Sequence, residues 1–320
     1  MTVAVIGAGA FGTALAAALA RDGGPVVLWG RDAKAMAEVA ETRVNAGYLP
    51  GVVLPEAVTV TADLAVADAE VVLLAVPAQQ TRGFWEAHGP KLSAGTVIAC
   101  AKGIDLTTGL GPAQTIASAA PERAVGILTG PSFADELGAG LPTALTLAME
   151  DADRAEAVCH ALSRTGLRLY HSADVIGAEL GGALKNVVAL AAGICIGAGF
   201  GENARAAVIA RGFAEMGRLA EALGGQRETL AGLSGLGDLV LTAMSEKSRN
   251  TRTGIAIGRG QEIDASITVE GIATARAVAA AATRRALSLP VMSAVAGIVD
   301  GRLTVEAAKD TLLARPLKQE

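Results

Sequence analysis

The chain has 320 residues, 51% of them hydrophobic, and a formal net charge of −5. That length exceeds one ordinary small domain and predicts two domains with a site between them. The acidic balance, without blocks of like charge, excludes the broad basic field that nucleic-acid binding requires. Cys100, Cys159 and Cys195 lie far apart and form no C-x-x-C pair, so they read as reduced, buried thiols rather than disulfide or zinc partners.

In chain order, Val3-Ala4-Val5-Ile6 is a short buried strand, and Gly7-Ala8-Gly9-Ala10-Phe11-Gly12 turns straight into the helical run Thr13 to Leu19. A G-x-G-x-x-G alone is weak evidence in a chain with 39 glycines. Between a strand and a helix it is a dinucleotide-binding fingerprint: Gly7 for the sharp turn, Gly9 to leave room for a pyrophosphate, Gly12 for close helix–strand packing. The helix N-terminus then turns unpaired N–H groups to the phosphates. The chain opens on this strand without the basic-then-apolar pattern of a signal peptide, which predicts a cytoplasmic protein.

Val26 to Trp29 is a second strand, Val58 to Val60 an edge strand and Val71 to Val76 a fully apolar one; Thr96 to Cys100, Ala124 to Leu128 and Thr143 to Ala148 continue the alternation with helices. Continuous apolar strands alternating with helices predict an α/β, doubly wound, mostly parallel sheet covered on both faces. From Asp174, a helix N-cap, strands give way to alanine-rich helical patterns, which sets domains at 1–173 and 174–320. The first of these helices passes through Lys185 to about Ile196, the next runs from near Asn203 to Gly224-Gly225, and others start near Ser248, Val269 and Val291. The longest uncharged stretch, Val187 to Gly201, falls short of a membrane span of about twenty residues and reads as a buried helix.

Several residues carry chemistry. Arg31 stands about twenty residues beyond the fingerprint, where an acidic residue would bond an adenosine ribose. It is placed to stack on adenine or pair with a 2′-phosphate, so NADP is admitted, and Asp32 keeps NAD open. Lys185 is a lysine inside the almost uncharged run Leu180 to Ala192, and burying an ammonium is costly unless it is paired or used. Gly181 and Gly182, one turn earlier, leave its face without bulk. Carbonyl reduction needs an acid for the developing alkoxide, which a desolvated lysine can supply; the bland alternative is a lysine snorkelling at a domain edge.

Lys102 follows a strand at the sheet end where ligands gather, and Gly130-Pro131-Ser132-Phe133-Ala134 opens a turn with free N–H groups and a hydroxyl. Asp238 is either a helix N-cap or the partner that orients Lys185. Ser248-Arg249-Asn250, opening a helix, offers a hydroxyl, a guanidinium, an amide and backbone donors to a phosphate monoester. His88, His160 and His171 show no metal-ligand spacing, and neither a complete G-x-S-x-G elbow nor a P-loop lysine occurs.

Together the motifs GAGAFGTALA from Gly7, LWGRD from Leu28, NAGYLPG from Asn45, AKGID from Ala101, GPSFADE from Gly130, ELGGALKN from Glu179, GLGDL from Gly235 and SRNTRTG from Ser248 make nearly the whole chain resemble the bacterial NAD(P)-dependent glycerol-3-phosphate dehydrogenases. The resemblance implies a Rossmann-type N-terminal domain followed by an all-helical C-terminal domain, usually as a homodimer, with NADP or NAD as cofactor. It implies reduction of dihydroxyacetone phosphate, a small phosphate substrate, for phospholipid synthesis, without nucleic-acid partners or membrane insertion. By the same resemblance Lys185 is the general acid, and Lys102, Gly130, Ser132, Asp238, Ser248, Arg249 and Asn250 line the substrate site. Gly7, Gly9, Ala10, Phe11, Gly12, Arg31, Ala134 and Glu270 would contact the cofactor, with Lys102 and Arg249 touching both ligands. One departure is Ala78, where relatives often carry serine. Two rival readings are a hydroxy-acid dehydrogenase, which would need a carboxylate clamp, and a nicotinamide sensor, which would have no use for Lys185.

Overall fold

The computed structural model describes residues 2–164, 166–262 and 269–314. The chain forms two compact units, Met1–Lys102 with Leu110–Glu179 and Gly103–Gly109 with Leu180–Glu320. The first contains β1 (Val3–Ile6), α1 (Ala10–Ala20), β2 (Val26–Trp29), α2 (Ala33–Thr42), β3 (Val58–Thr61), β4 (Val71–Leu74), α3 (Ala78–His88), β5 (Thr96–Ala99), α4 (Pro112–Ala119), β6 (Ala124–Thr129), α5 (Ala134–Ala139), β7 (Thr143–Met149), α6 (Ala152–Leu162) and β8 (Leu167–Ser172). The strands form one sheet in the order β3-β2-β1-β4-β5-β6-β7-β8. Neighbours pair in parallel except β6 with β7, which run antiparallel.

The apolar strands are continuous because successive side chains feed opposite cores. Val3, Val5, Leu73 and Ile98 join α1, α2 and α6 on one face, through Leu15, Leu19, Val39 and Leu162. Ala4, Ile6, Val72, Leu74 and Val97 join α3 and α4 on the other, through Trp85 and Ile116. The sheet is therefore doubly wound, as its sequence pattern predicts. The edge strand β8 departs from that pattern, alternating buried Leu167 and Leu169 with exposed Arg168 and Tyr170, as an edge strand with one solvated face does.

The helix α7 (Val175–Gly197) begins in the first unit and continues into the second, where α8 (Gly201–Ala222), α9 (Arg227–Leu230), a π-helical turn (Leu233–Gly237), α10 (Asp238–Ala243), α11 (Arg249–Gly258), α12 (Glu270–Arg285), α13 (Pro290–Val299) and α14 (Val305–Leu313) follow. Asp174 caps α7 as expected, its Oδ1 accepting the Gly177 N–H at 2.8 Å. By length and composition α7 qualifies as a membrane span, yet 89% of its apolar window is buried within the fold, as in a core helix. Helices α7 and α11 cross at backbone contact: a Cβ on Gly193 would lie 3.0 Å from Gly254 Cα, and a Cβ on Gly254 would lie 3.0 Å from Gly193 Cα. A buried carboxylate, Glu215 of α8, ends the free N–H groups of α13 by accepting from Val291 at 2.8 Å and Met292 at 3.0 Å.

Candidate active site

In the first unit the glycine-rich turn has the form that a pyrophosphate needs. Gly7 has φ +119°, and a Cβ there would stand 2.6 Å from the Ala75 carbonyl oxygen. A Cβ at Gly12 would collide with the Gly7 carbonyl, whereas a Cβ at Gly9 would meet nothing within 4 Å. The turn is thus closed where it packs and open where a ligand would approach. No side chain caps α1 and no acidic residue stands in its first turn, while Ala10 and Phe11 stay partly exposed beside the buried remainder of the helix. This arrangement fits a dinucleotide pyrophosphate.

At the end of β2, Arg31 is exposed. Asp32, by contrast, has a task of its own: its Oδ1 accepts the N–H groups of Lys34 and Ala35, both at 3.0 Å, and caps α2. That engagement weakens its case as a ribose ligand. Lys102 Nζ donates to the Gly130 carbonyl at 2.8 Å, and Ser132 Oγ donates to the same oxygen at 3.3 Å. Gly130 makes this convergence with φ +138°, a left-handed backbone that a side chain would strain. Ala134 opens α5, whose first turn also holds Asp135 and Glu136, and α5 packs on α1.

The second unit centres on Lys185, 7% exposed on α7. Its Nζ donates to Asp238 Oδ1 at 2.8 Å and to Thr242 Oγ1 at 2.6 Å, and Thr242 Oγ1 donates to Asp238 Oδ1 at 3.2 Å. Asp238 is 1% exposed, so the ammonium and the carboxylate compensate one another in a dry setting where either alone would be costly. The snorkelling alternative for Lys185 is thereby excluded, and so is the N-cap alternative for Asp238: the π-helical turn runs directly into α10, and the carboxylate faces Lys185 instead. Such π turns recur at functional sites. The expectation for Gly181 needs correction. A Cβ there would meet the Ser234 carbonyl oxygen at 2.7 Å and Gly235 Cα at 3.1 Å, so its missing side chain admits backbone rather than a ligand.

Helix α11 joins this cluster. Thr251 Oγ1 donates to the Thr242 carbonyl at 2.7 Å, and Asn250 Nδ2 donates to Asn186 Oδ1 at 2.9 Å. Asn250 Oδ1 accepts the Gly271 N–H at 3.0 Å, which draws the start of α12, with the partly buried Glu270, beside α11. Ser248 is the N-cap of α11, its Oγ accepting the Thr251 N–H at 3.3 Å. Arg249 is exposed, and its side chain makes no bond among the described residues. Of the triplet, then, Ser248 and Asn250 shape the helix start and Arg249 presents the charge.

Sequence reasoning missed three polar residues. Thr242 reads as an ordinary helical threonine, and only its four-residue spacing from Asp238 places both on one face. Asn45, 4% exposed, donates through Nδ2 to the Ala8 carbonyl at 2.9 Å and to Thr13 Oγ1 at 2.8 Å. Glu179, buried on α7, accepts the Ala113 N–H at 2.6 Å, and burial pushes its carboxyl up to about 7 against the lowering effect of the α4 N–H groups. All three cysteines are free and buried, and burial pushes each thiol up. The histidines stand apart: His88 on the Phe84 ring, His160 beside Glu156, His171 on β8.

A dinucleotide turn on a doubly wound sheet, and a lysine–aspartate pair buried in an all-helical unit, define a two-unit nicotinamide-dependent dehydrogenase. Residues 2–155 match the family described as NAD-dependent glycerol-3-phosphate dehydrogenase N-terminus, and residues 174–310 its C-terminus counterpart. The chain is 57% identical over 320 residues to the glycerol-3-phosphate dehydrogenase [NAD(P)+] of Paracoccus denitrificans and 53% identical over 321 residues to that of Ruegeria sp., with all of each chain covered. It is similar to the crystal structure of glycerol-3-phosphate dehydrogenase from Coxiella burnetii, with TM-score 0.91 and 35% identity over 98% of this chain and 99% of that one. The chain belongs to the NAD-dependent glycerol-3-phosphate dehydrogenase family.

Proposed function

We propose that the chain catalyses the reversible reduction of dihydroxyacetone phosphate to sn-glycerol 3-phosphate with NADPH or NADH. The observation that carries this reading is the buried Lys185, held by Asp238 and Thr242 in a chain that matches this family along its length. The dinucleotide, when bound, supplies the hydride. Lys185 gives a proton to the substrate carbonyl oxygen as that oxygen gains charge, and takes it back in the reverse direction. Asp238 and Thr242 fix the position of Nζ, so the donor does not have to be ordered during the reaction.

Arg249 supplies the charge-assisted contact to the substrate phosphate, with Ser248 and Asn250 holding the first turn of α11 in place around it. Lys102, Gly130 and Ser132 complete the substrate contacts. Gly7, Gly9, Ala10, Phe11, Gly12, Arg31, Ala134 and Glu270 hold the cofactor, and Lys102 and Arg249 touch both ligands. Residues 1–173 form the dinucleotide-binding domain and supply most cofactor contacts, and 174–320 form the helical substrate domain that carries Lys185 and the phosphate contact. The enzyme works in the cytoplasm as a homodimer without inserting into a membrane, and its product feeds glycerophospholipid synthesis. The test is direct: purified protein mixed with dihydroxyacetone phosphate and NADPH or NADH oxidises the nicotinamide. No oxidation with either cofactor refutes the reading.

A further inference from the structure

We propose that Asn45 is a positioning residue for the dinucleotide pyrophosphate, acting through the Ala8–Gly9 peptide; the inference rests on the reading of the glycine-rich turn as the cofactor site. Asn45 lies 37 residues beyond Ala8 in sequence, yet its amide nitrogen reaches the Ala8 carbonyl at 2.9 Å and Thr13 Oγ1 at 2.8 Å. Ala8 offers only an oxygen, so the atom facing it is the amide nitrogen and the orientation of the side chain is fixed. Both hydrogens of that nitrogen are thereby used, one on each side of the turn. Asn45 is itself anchored. Its own carbonyl accepts the N–H groups of Tyr48 at 3.1 Å and Leu49 at 2.7 Å, and Leu49 is buried in the core beside α1.

The consequence follows from peptide geometry. In a trans peptide the C=O and N–H point in opposite directions, and the described chain contains no cis bond. A bond that draws the Ala8 oxygen toward Asn45 therefore aims the Gly9 N–H the other way, away from Asn45. The Gly9 α-carbon has open space in place of a side chain. The second bond secures Thr13, whose N–H donates to the Gly9 carbonyl at 2.9 Å as the first turn of α1 closes. Asn45 thus sets the direction of the donor at Gly9 through the Ala8 carbonyl, while the first turn of α1 is closed by the Thr13 N–H bond itself. Glycine freedom makes this loop able to adopt the binding form, and the asparagine selects that form before the ligand arrives, lowering the ordering cost of binding.

The experiment compares wild type with Asn45→Ala, Asn45→Asp and Thr13→Val. Dissociation constants for NADPH and NADH come from nicotinamide fluorescence and from the ligand-induced rise in melting temperature, which reads affinity even in a less stable variant. Both Asn45 variants are expected to weaken NADPH and NADH alike by about tenfold, because the pyrophosphate is common to the two. At saturating cofactor kcat stays within about twofold and KM for dihydroxyacetone phosphate is unchanged, the signature of lost uniform binding. Thr13→Val keeps the bond to Ala8 and moves the dissociation constants by less than about threefold. Wild-type affinity in Asn45→Ala, unequal effects on the two cofactors, or an equal effect from Thr13→Val each overturns the proposal. A wild-type protein that binds neither dinucleotide refutes the cofactor site itself, whereas one that binds without turning over dihydroxyacetone phosphate refutes only the reaction.

Discussion

Glu179→Gln should flatten part of the pH dependence of stability in the first unit. The carboxyl is buried against the start of α4, and its pKa is raised from an ordinary 4.5 to about 7, first by burial and in spite of the Ala113 and Gln114 backbone donors. The folded protein therefore keeps this proton to higher pH than the unfolded chain does. Between about pH 4.5 and 7 the folded state binds more protons, so stability falls as pH rises through that window. The difference of about 2.5 in pKa, at about 1.36 kcal/mol each, makes the full cost about 3 kcal/mol above pH 7. Glutamine retains an oxygen for the Ala113 N–H and has no charge to bury. The two proteins should match near pH 4, below the carboxyl's unfolded pKa, and the variant should be more stable by about 3 kcal/mol near pH 8. Urea unfolding followed by tryptophan fluorescence suits the purpose, because Trp29 and Trp85 are the chain's two tryptophans and both lie in the unit that holds Glu179. Stability curves for the two proteins that stay parallel from pH 4 to 8 would refute the reasoning.

Three further outcomes test the assigned roles. Lys185→Ala should lower kcat by about a hundredfold or more, the usual scale of a lost general acid, in a nicotinamide-oxidation assay; an unchanged kcat would remove Lys185 from the chemistry. Arg249→Ala should raise KM for dihydroxyacetone phosphate by about tenfold or more with a smaller effect on kcat, since a charge-assisted phosphate contact is uniform binding. Equal, mild effects from these two variants would contradict both roles. Arg31→Ala should raise KM for NADPH more than for NADH, and identical changes would show that Arg31 does not meet a 2′-phosphate.

The parts of the fold that local pattern controls were legible. Fully apolar strands such as Val71 to Leu74 announce burial on both faces, and the caps Asp174 and Ser248 announce α7 and α11. Strand direction and edges were harder. β8 carries Arg168, Tyr170 and His171 on a short strand, so its alternation sits below the apolar signal of the central strands. The antiparallel entry of β7 depends on how α5 returns the chain, which no periodicity encodes. The site shows the same division. Lys185 stands out because a charge in an apolar helix violates its surroundings. Its partners do not stand out: an aspartate after glycine looks like a cap, a threonine in a helix looks ordinary, and Asn45 in a Gly-, Tyr- and Pro-bearing stretch looks like a turn residue. Their roles arise from contacts 53, 57 and 37 residues away in sequence.

The glycines around Lys185 and the polar groups that hold it are one device. Asp and Thr side chains are short, so they reach a lysine on a neighbouring helix only if the two backbones come close. Gly181 allows the Ser234–Gly235 backbone to press against α7, three residues before Asp238. Farther along the same helix Gly193 and Gly254 bring α11 against α7, and Thr251 and Asn250 of α11 then bond to Thr242 and Asn186. A chain with larger residues at these positions would keep the apolar character of α7 and lose the approach. The ammonium would then be buried without its partners, a state that costs several kcal/mol. The small residues that make α7 look like an unremarkable core helix are what permit a charged group to be buried and paired inside it.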